Sequence, residues 1–153
     1  MISNQIGQAD DDLKDLIQST QQAAKKAFFC ADNGLFAMTE KGGEFTALGN
    51  ALAILAGLTD QAQAMTICSR FGKSEMTDCT LSMKCFQYDA MIQTDKTFSK
   101  EILSEIRTVY GTMLAQGATS VWETAEGASA FDNAGSLCHG WSAVPVYYYH
   151  RIK

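Results

Sequence analysis

The amino-acid sequence predicts an all-α domain. Apolar residues recur at the three- and four-residue spacing of helices along most of the 153-residue chain, which contains one proline. About six helices follow from this pattern, alternating between helices that are apolar on nearly all sides and helices with one apolar face. Antiparallel hairpins of this kind predict part of an α/α toroid. A helical-repeat solenoid is the weaker interpretation, because the sequence has no fixed-period repeat.

The first half of the chain contains three predicted helices and one short extended piece. Residues 13–28 form a helix with aspartates before it and Lys25-Lys26 near its end, as the helix dipole favours. Residues 35–39 are a turn or a small hairpin strand. Thr46 is the predicted N-cap of a helix, buried on most sides, that runs to Gly57. Thr59 is the predicted cap of an amphipathic helix whose apolar stripe is Ala64, Cys68 and Phe71.

The second half contains three more predicted helices. Residues 79–92 form a moderately apolar helix, and residues 97–116 form an amphipathic helix that Gly117 ends. The following residues are then a loop at one end of the helical array. The last helix is expected over residues 138–151, with Ser136 as its cap. Pro145 in its interior should kink it, at a cost of about 3 kcal/mol.

The composition of the chain limits which classes of partner it can have. The net charge is -5 and no basic cluster is longer than two residues, so nucleic acid is not an expected partner. No apolar run approaches the ~20 residues that span a bilayer, and the polar, acidic start is not a secretory signal. We expect a soluble single domain over residues 1–153, with residues 1–10 poorly ordered. The compartment stays open.

The five cysteines are an odd number and form no C-x-x-C pair, which argues against a disulfide framework and a zinc knuckle. We therefore expect no metal site and no cofactor, and interpret the cysteines as reduced core residues. Cys138 precedes His139, but neighbours on a helix point about 100° apart, so a buried small side chain is the favoured interpretation. The five are Cys30, Cys68, Cys79, Cys85 and Cys138.

Two nearby stretches contain the side chains that could take part in binding or catalysis. The string GATSVWE ends in Trp122 and Glu123, and the string SLCHGWSAVPVY contains His139 and Trp141. Sugar rings stack their apolar faces on tryptophan, and cleavage of their acetal bonds requires carboxyl groups. Each residue alone has an ordinary interpretation as a solvated loop glutamate or a core side chain. Together, folded against each other, they indicate a carbohydrate site.

The two strings resemble the C-terminal part of the catalytic barrel in bacterial α-L-rhamnosidases of glycoside hydrolase family 78, which are six-hairpin glycosidases. The resemblance covers most of the chain from about Asp11, including the stretch FTALGNALAILAGL and the helix that leads into the loop. It implies antiparallel helix hairpins that form an incomplete six-hairpin α/α toroid.

The resemblance also implies an inverting hydrolysis, in which one carboxylic acid protonates the glycosidic oxygen and a carboxylate ~6.5–9.5 Å away activates water. By position Glu123 is the general base, and His139 would hydrogen-bond sugar hydroxyls. Trp122 and Trp141 would shape or line the pocket, and Asn50 would be the polar contribution of the buried helix. The implied ligand is a rhamnose-containing oligosaccharide or glycoside.

Three departures from the family pattern bear on activity. The family's general acid lies in the first half of the toroid, upstream of anything in this chain. The glutamine and histidine that often precede the asparagine are Ala47 and Leu48, and the glycine before Pro145 is Val144. Acid and base assistance each contribute roughly 10²- to 10⁴-fold, so we expect the isolated chain to be inactive or nearly so.

Two classes of function therefore stay open. The chain is either the base-bearing part of an α-L-rhamnosidase-like hydrolase or a non-catalytic carbohydrate-binding or assembly domain derived from a six-hairpin glycosidase. Another six-hairpin hydrolase, such as a glucan-debranching or trehalase-like enzyme, is a related alternative. An incomplete toroid leaves inner-helix surface open, so we expect self-association or a missing N-terminal half to cover it.

Overall fold

Helices form most of the computed structural model, which describes residues 11–152; the expectation that residues 1–10 are poorly ordered lies outside these residues. The predicted all-α fold class is confirmed. Six helices within the described range have eight residues or more: α1 Asp11–Phe28, α2 Ala47–Leu55, α3 Gln61–Cys68, α4 Lys84–Thr94, α5 Ser99–Ala115 and α6 Val144–Arg151. None of them combines the length and apolar composition that a bilayer span requires.

Two short strands follow α1. They are β1 Phe29–Cys30 and β2 Leu35–Phe36, paired antiparallel around a turn in which Gly34 has φ 68°. Glycine suits this position because it adopts positive φ without the steric cost of a side chain. Two alternatives were open for residues 35–39, a turn or a small hairpin strand. The structure shows the hairpin strand, over Leu35–Phe36.

The core lies where α2 packs against α4. Buried alanines on α2 let the two helices approach closely, because no long side chain separates their backbones. The α2 residues that contribute are Ala47, Ala51, Ala53 and Ile54, and the other helices add Ile67, Tyr88, Met91, Ile102, Ile106 and Tyr148. The buried tyrosines Tyr88 and Tyr148 meet edge to face, with ring centroids 5.1 Å apart.

One side of α2 is open in this chain. The prediction that α2 is buried on most sides is correct for its core face, but Leu52 is 43% exposed. Leu48 and Leu52 line a groove of about 470 Å³ with Phe28, Met38 and Leu58. The walls of this groove are mostly apolar, so one side of α2 has no partner among residues 11–152.

The predicted helix starts are correct at α2 and displaced by one residue at α3. Thr46 caps α2, where its hydroxyl accepts a hydrogen bond from the Gly49 N–H at 3.1 Å. Asp60, not Thr59, caps α3, because its carboxylate accepts from the Gln63 N–H while the Gln63 side chain accepts from the Asp60 N–H. This reciprocal capping box satisfies two helix N–H groups and outcompetes a threonine one residue earlier.

The prediction for the last helix was wrong at its start. The helix α6 begins at Val144, and the preceding residues form a 3-10 turn, Gly140–Ser142, after extended backbone at His139. Pro145 therefore lies in the first turn, where its missing N–H costs nothing and its fixed φ favours the helix, so the predicted kink is absent. Ser136 lies well before the helix and does not cap it.

The cysteines differ in burial more than predicted. Cys68 is buried and fits the core interpretation, whereas Cys138 is exposed and contradicts it. The helix on which that interpretation relied begins only at Val144, so the segment at Cys138 has no buried helical face. Burial raises the pKa of the Cys79 thiol to about 12, which keeps that thiol protonated at neutral pH.

Asn50 ties α2 to the hairpin. Its side-chain oxygen accepts from the Phe36 N–H at 2.9 Å, and its amide nitrogen donates to the Phe36 and Thr46 carbonyls, each at 3.0 Å. The residue is 0% exposed. Because these contacts use both ends of the amide, Asn50 is a structural bridge between the helix and the strand.

We predict that Asn50→Leu lowers the free energy of unfolding by roughly 2–4 kcal/mol, because the buried Phe36 N–H and carbonyl each lose a partner that water cannot replace. Urea denaturation followed by circular dichroism measures the loss. Gln22→Leu, the same change of an amide to leucine on the exposed side of α1, should stay within about 0.5 kcal/mol of the wild type. Equal stability of the two variants would contradict the assignment.

Candidate functional site

The loop after α5 begins with a helix-ending turn. Gly117 follows the last helical residues with φ 82°, and the Ala118 N–H donates to the Met113 carbonyl at 3.0 Å. This confirms the predicted role of Gly117 as the glycine that ends the helix. The residues after Ala118 leave the helix as a loop, as the sequence indicated.

Main-chain hydrogen bonds hold this loop against the second motif. The Glu123 N–H donates to the Ser136 carbonyl at 2.9 Å, and the His139 N–H donates to the Val121 carbonyl at 2.8 Å. The Ser120 hydroxyl also bonds to the Leu137 carbonyl. In the two main-chain bonds, the partner falls from His139 to Ser136 as the position rises from Val121 to Glu123, so the two segments run antiparallel. The two motifs therefore fold together, through their backbones.

Glu123 is held at its peptide and at its side chain. Its carbonyl accepts a hydrogen bond from the Leu81 N–H at 3.3 Å, while its carboxylate Oε2 accepts one from the Ser136 N–H at 3.3 Å. None of the ion pairs in residues 11–152 includes Glu123. Its carboxylate is thus oriented by the main chain, with no ion pair to a cation among the described residues.

Three of the sequence-predicted site residues line one cavity of about 590 Å³: Glu123, His139 and Trp141. Its size falls within the range of small-ligand sites. Trp141 is 83% exposed, on the 3-10 turn Gly140–Ser142. An indole this exposed presents an apolar face to solvent next to a carboxylate and an imidazole. That combination suits a ligand with apolar faces and polar edges.

The other two predicted site residues lie elsewhere. Trp122 is 8% exposed and packs with Leu81 and Met113 in a small second core. Its ring lies so close to Gly127 that an added Cβ there would be 2.8 Å from it. The side-chain amide of Asn50 is already hydrogen-bonded to the hairpin, and Asn50 does not line the cavity. Neither residue is among those that line this cavity.

Sequence reasoning missed the other residues that line the cavity. They come from the cap and turn of the 3-10 turn Leu81–Met83 and from the first turn of α4: Thr80, Ser82, Met83, Cys85 and Phe86. The sequence predicts one moderately apolar helix over residues 79–92, whereas α4 begins at Lys84. Helical spacing carried a usable signal, because buried Leu81, Lys84 and Tyr88 share one face while Met83 and Phe86 lie on another.

A buried ammonium group also escaped prediction. The Lys84 Nζ lies 2.6 Å from Asp78 Oδ1 and 2.8 Å from Glu105 Oε1, and it donates to Gln87 Oε1 at 3.3 Å. Burial disfavours the charged lysine, but the two carboxylates outweigh burial and raise its pKa above the ordinary value. Lys84 therefore stays charged next to Asp78, in the segment whose Leu81 contacts Glu123.

Comparison with solved structures finds a rhamnosidase from Klebsiella oxytoca with rhamnose bound, at a TM-score of 0.69 and 19% sequence identity. The fold is rhamnosidase-like. The match covers 88% of this chain and 27% of the rhamnosidase chain, so this rhamnosidase-like fold corresponds to about a quarter of that protein. No protein-family model matches the sequence, and no curated protein matches it. At this identity the likeness shows the fold alone.

Gly135 sits where the loop between the motifs closes. A Cβ on Gly135 would lie 2.0 Å from the Gly127 carbonyl oxygen, a main-chain atom that cannot rotate away. We predict that Gly135→Ala separates the two arms of the loop, exposes Trp122 and destabilises the chain by about 1–3 kcal/mol. Urea denaturation and the indole N–H resonance of Trp122 measure both effects.

Gly140→Ala is the matched control, because an added Cβ at Gly140 meets nothing within 4 Å. Its stability and the Trp122 resonance should match the wild type. A Gly135→Ala variant with an unchanged Trp122 resonance would show that the close approach to Gly127 does not position the loop.

Proposed function

We propose that this chain is the C-terminal part of the catalytic toroid of an α-L-rhamnosidase-like inverting glycoside hydrolase, carrying the general base and part of the sugar pocket. The observation that supports it is the meeting of Glu123, His139 and Trp141 at one cavity on a rhamnosidase-like fold. The ligand we propose is a rhamnose-containing oligosaccharide or glycoside.

Each lining residue has a role that its position suits. The exposed Trp141 indole stacks on the apolar face of the sugar, and His139 exchanges hydrogen bonds with its hydroxyls. Glu123 takes a proton from the attacking water, a task open to a carboxylate that has no paired cation within the described residues. Trp122 and Asn50 act from behind the cavity, by fixing the loop and the hairpin respectively.

A second carboxyl group is needed for inversion. Among the described residues that line the cavity, Glu123 is the one carboxylate. The general acid must come from another part of a longer protein, so we expect the chain alone to be inactive. The same observation supports the alternative of a non-catalytic carbohydrate-binding or assembly domain that retained the pocket aromatics.

Sugar binding tests the proposal. Isothermal titration calorimetry with L-rhamnose should detect binding to the wild type and a loss of about tenfold or more in Trp141→Ala, because stacking area is removed. Leu114→Ala, which trims another exposed apolar residue outside this cavity, should bind as the wild type does. Absence of rhamnose binding to the folded wild type would overturn the proposal.

A second titration separates the two functional classes. A cationic iminosugar of rhamnose configuration resembles the charge of the transition state, so a general base should hold it through its carboxylate. Glu123→Gln should then weaken iminosugar binding about tenfold while leaving neutral rhamnose nearly unaffected. Equal effects on both ligands favour the non-catalytic domain. Glu123-dependent hydrolysis of an aryl α-L-rhamnoside by the chain alone would instead show a complete active site.

We also propose that the open side of α2 is an association surface. Its groove of about 470 Å³ has apolar walls at Leu48, Leu52 and Phe28, and such walls gain stability when they are covered. In a longer protein the cover is the N-terminal half of the toroid. When the chain is alone, the available cover is a second copy.

Leu52→Glu should therefore abolish self-association, because a carboxylate cannot be buried unpaired in an apolar contact. Light scattering after size-exclusion chromatography should show a concentration-dependent dimer for the wild type and a monomer for the variant. Leu114→Glu, which places the same charge at an exposed position of α5, is the control and should still dimerise. A wild type that is monomeric at all concentrations would exclude the second copy as the cover.

A further inference from the structure

We infer that Lys84 is a positioning residue for the Glu123 loop, an inference that rests on the proposed role of Glu123. Lys84 is the first residue of α4, and its side chain is 4% exposed. Burying a charge removes its hydration, which is costly unless nearby groups compensate. A well-packed apolar residue would stabilise a fold equally well or better at such a position. The buried ammonium group of Lys84 therefore has a role that packing alone does not explain.

The ammonium group joins three parts of the chain. Its three protons match three acceptors: Asp78 in the segment before α4, Glu105 on α5, and Gln87 one turn along α4. The Asp78 carboxylate is itself oriented, because its Oδ1 also accepts from the Cys79 N–H at 2.8 Å. Lys84 thus fastens the segment 78–83 to two helices by charge-assisted hydrogen bonds, which are short and directional.

The fastened segment is the one that holds Glu123. The Leu81 N–H donates to the Glu123 carbonyl at 3.3 Å, and the Leu81 side chain packs in the same small core as Trp122. Thr80, between Asp78 and Leu81, lines the cavity that Glu123 lines. A path therefore runs from Glu105 through Lys84 to Asp78, along the chain to Leu81, and through the Leu81 N–H to the Glu123 carbonyl.

The geometry predicts what removal of the charge does. Without the ammonium group, the carboxylates of Asp78 and Glu105 lose their common partner and repel each other. Asp78 is half exposed, so its segment can move towards water, whereas Glu105 belongs to the long helix α5. The expected movement carries Leu81 away from Glu123 and loosens the carboxylate in the cavity.

The test compares Lys84→Met, which keeps the length of the side chain without the charge, with the double variant Lys84→Met/Glu105→Gln. The double variant neutralises the Glu105 carboxylate on α5, which has lost its cation, and should recover most of the stability lost in the single variant, as measured by urea denaturation. Neither variant retains the bond to Asp78. Lys100→Met, at an exposed lysine of α5, is the control.

Amide hydrogen exchange of Leu81, followed by NMR, is the decisive measurement. We expect it to be about tenfold faster than in the wild type in both Lys84 variants and unchanged in Lys100→Met. A merely structural role predicts instead that the Leu81 exchange rate returns to normal when the double variant regains stability. That result, or unchanged Leu81 exchange in Lys84→Met, would overturn the inference.

Rhamnose titration of the same variants separates this inference from the proposed function. Positioning of the site predicts an affinity about tenfold lower in both Lys84 variants. A wild type that does not bind rhamnose refutes the proposed function, and the Leu81 exchange rates still decide whether Lys84 positions the loop. Binding of normal affinity in the double variant, with Leu81 exchange still fast, would show that the loop's position does not control the site.

Discussion

The candidate site depends on the antiparallel main-chain contact between the segment ending at Glu123 and the segment from Ser136 to His139. Two peptide hydrogen bonds, from Glu123 to Ser136 and from His139 to Val121, place side chains that are far apart in sequence at one cavity. Neither segment belongs to a helix. The cavity residues are thus positioned by backbone groups, whose directions are fixed by the peptide planes and not by rotamers.

The helical framework supplies the fixed surfaces on which that contact rests. Close packing of α2 on α4 sets the position of the first turn of α4, and the 3-10 turn before it offers the Leu81 N–H to Glu123. On the other side, Trp122 fills the space beside Met113 of α5. The loop therefore contacts both the turn before α4 and the helix α5, which the core holds in place. The position of the site residues thus depends on the packing of the domain.

The sequence predicted the features that local physics determines. Helical spacing located α1, α2 and α5, Thr46 and Gly117 marked two of their ends, and the two motifs folded together as expected. Spacing does not show the features that distant contacts or competing local signals decide. The bonds from Asn50 to Phe36 join different elements, and the burial of Lys84 depends on Asp78 and Glu105. The expected helix start was too early because Ser136 is a good capping residue, whereas the actual N-cap, Ala143, has no side chain that could mark the start.

In the proposed function, a single cavity carboxylate and the uncovered apolar side of α2 have one explanation, which is the geometry of an α/α toroid. In an α/α toroid, inner helices bury their apolar surface against other inner helices, and loops at one end of the ring supply the reactive groups. A partial ring therefore loses packing partners for a helix such as α2 and loses carboxyl groups at the rim for the same geometric reason. Glu123 can be oriented locally, since Ser136 and Leu81 belong to this chain. The general acid that the proposed function requires cannot be oriented locally, because in such a ring another part of the toroid would present it.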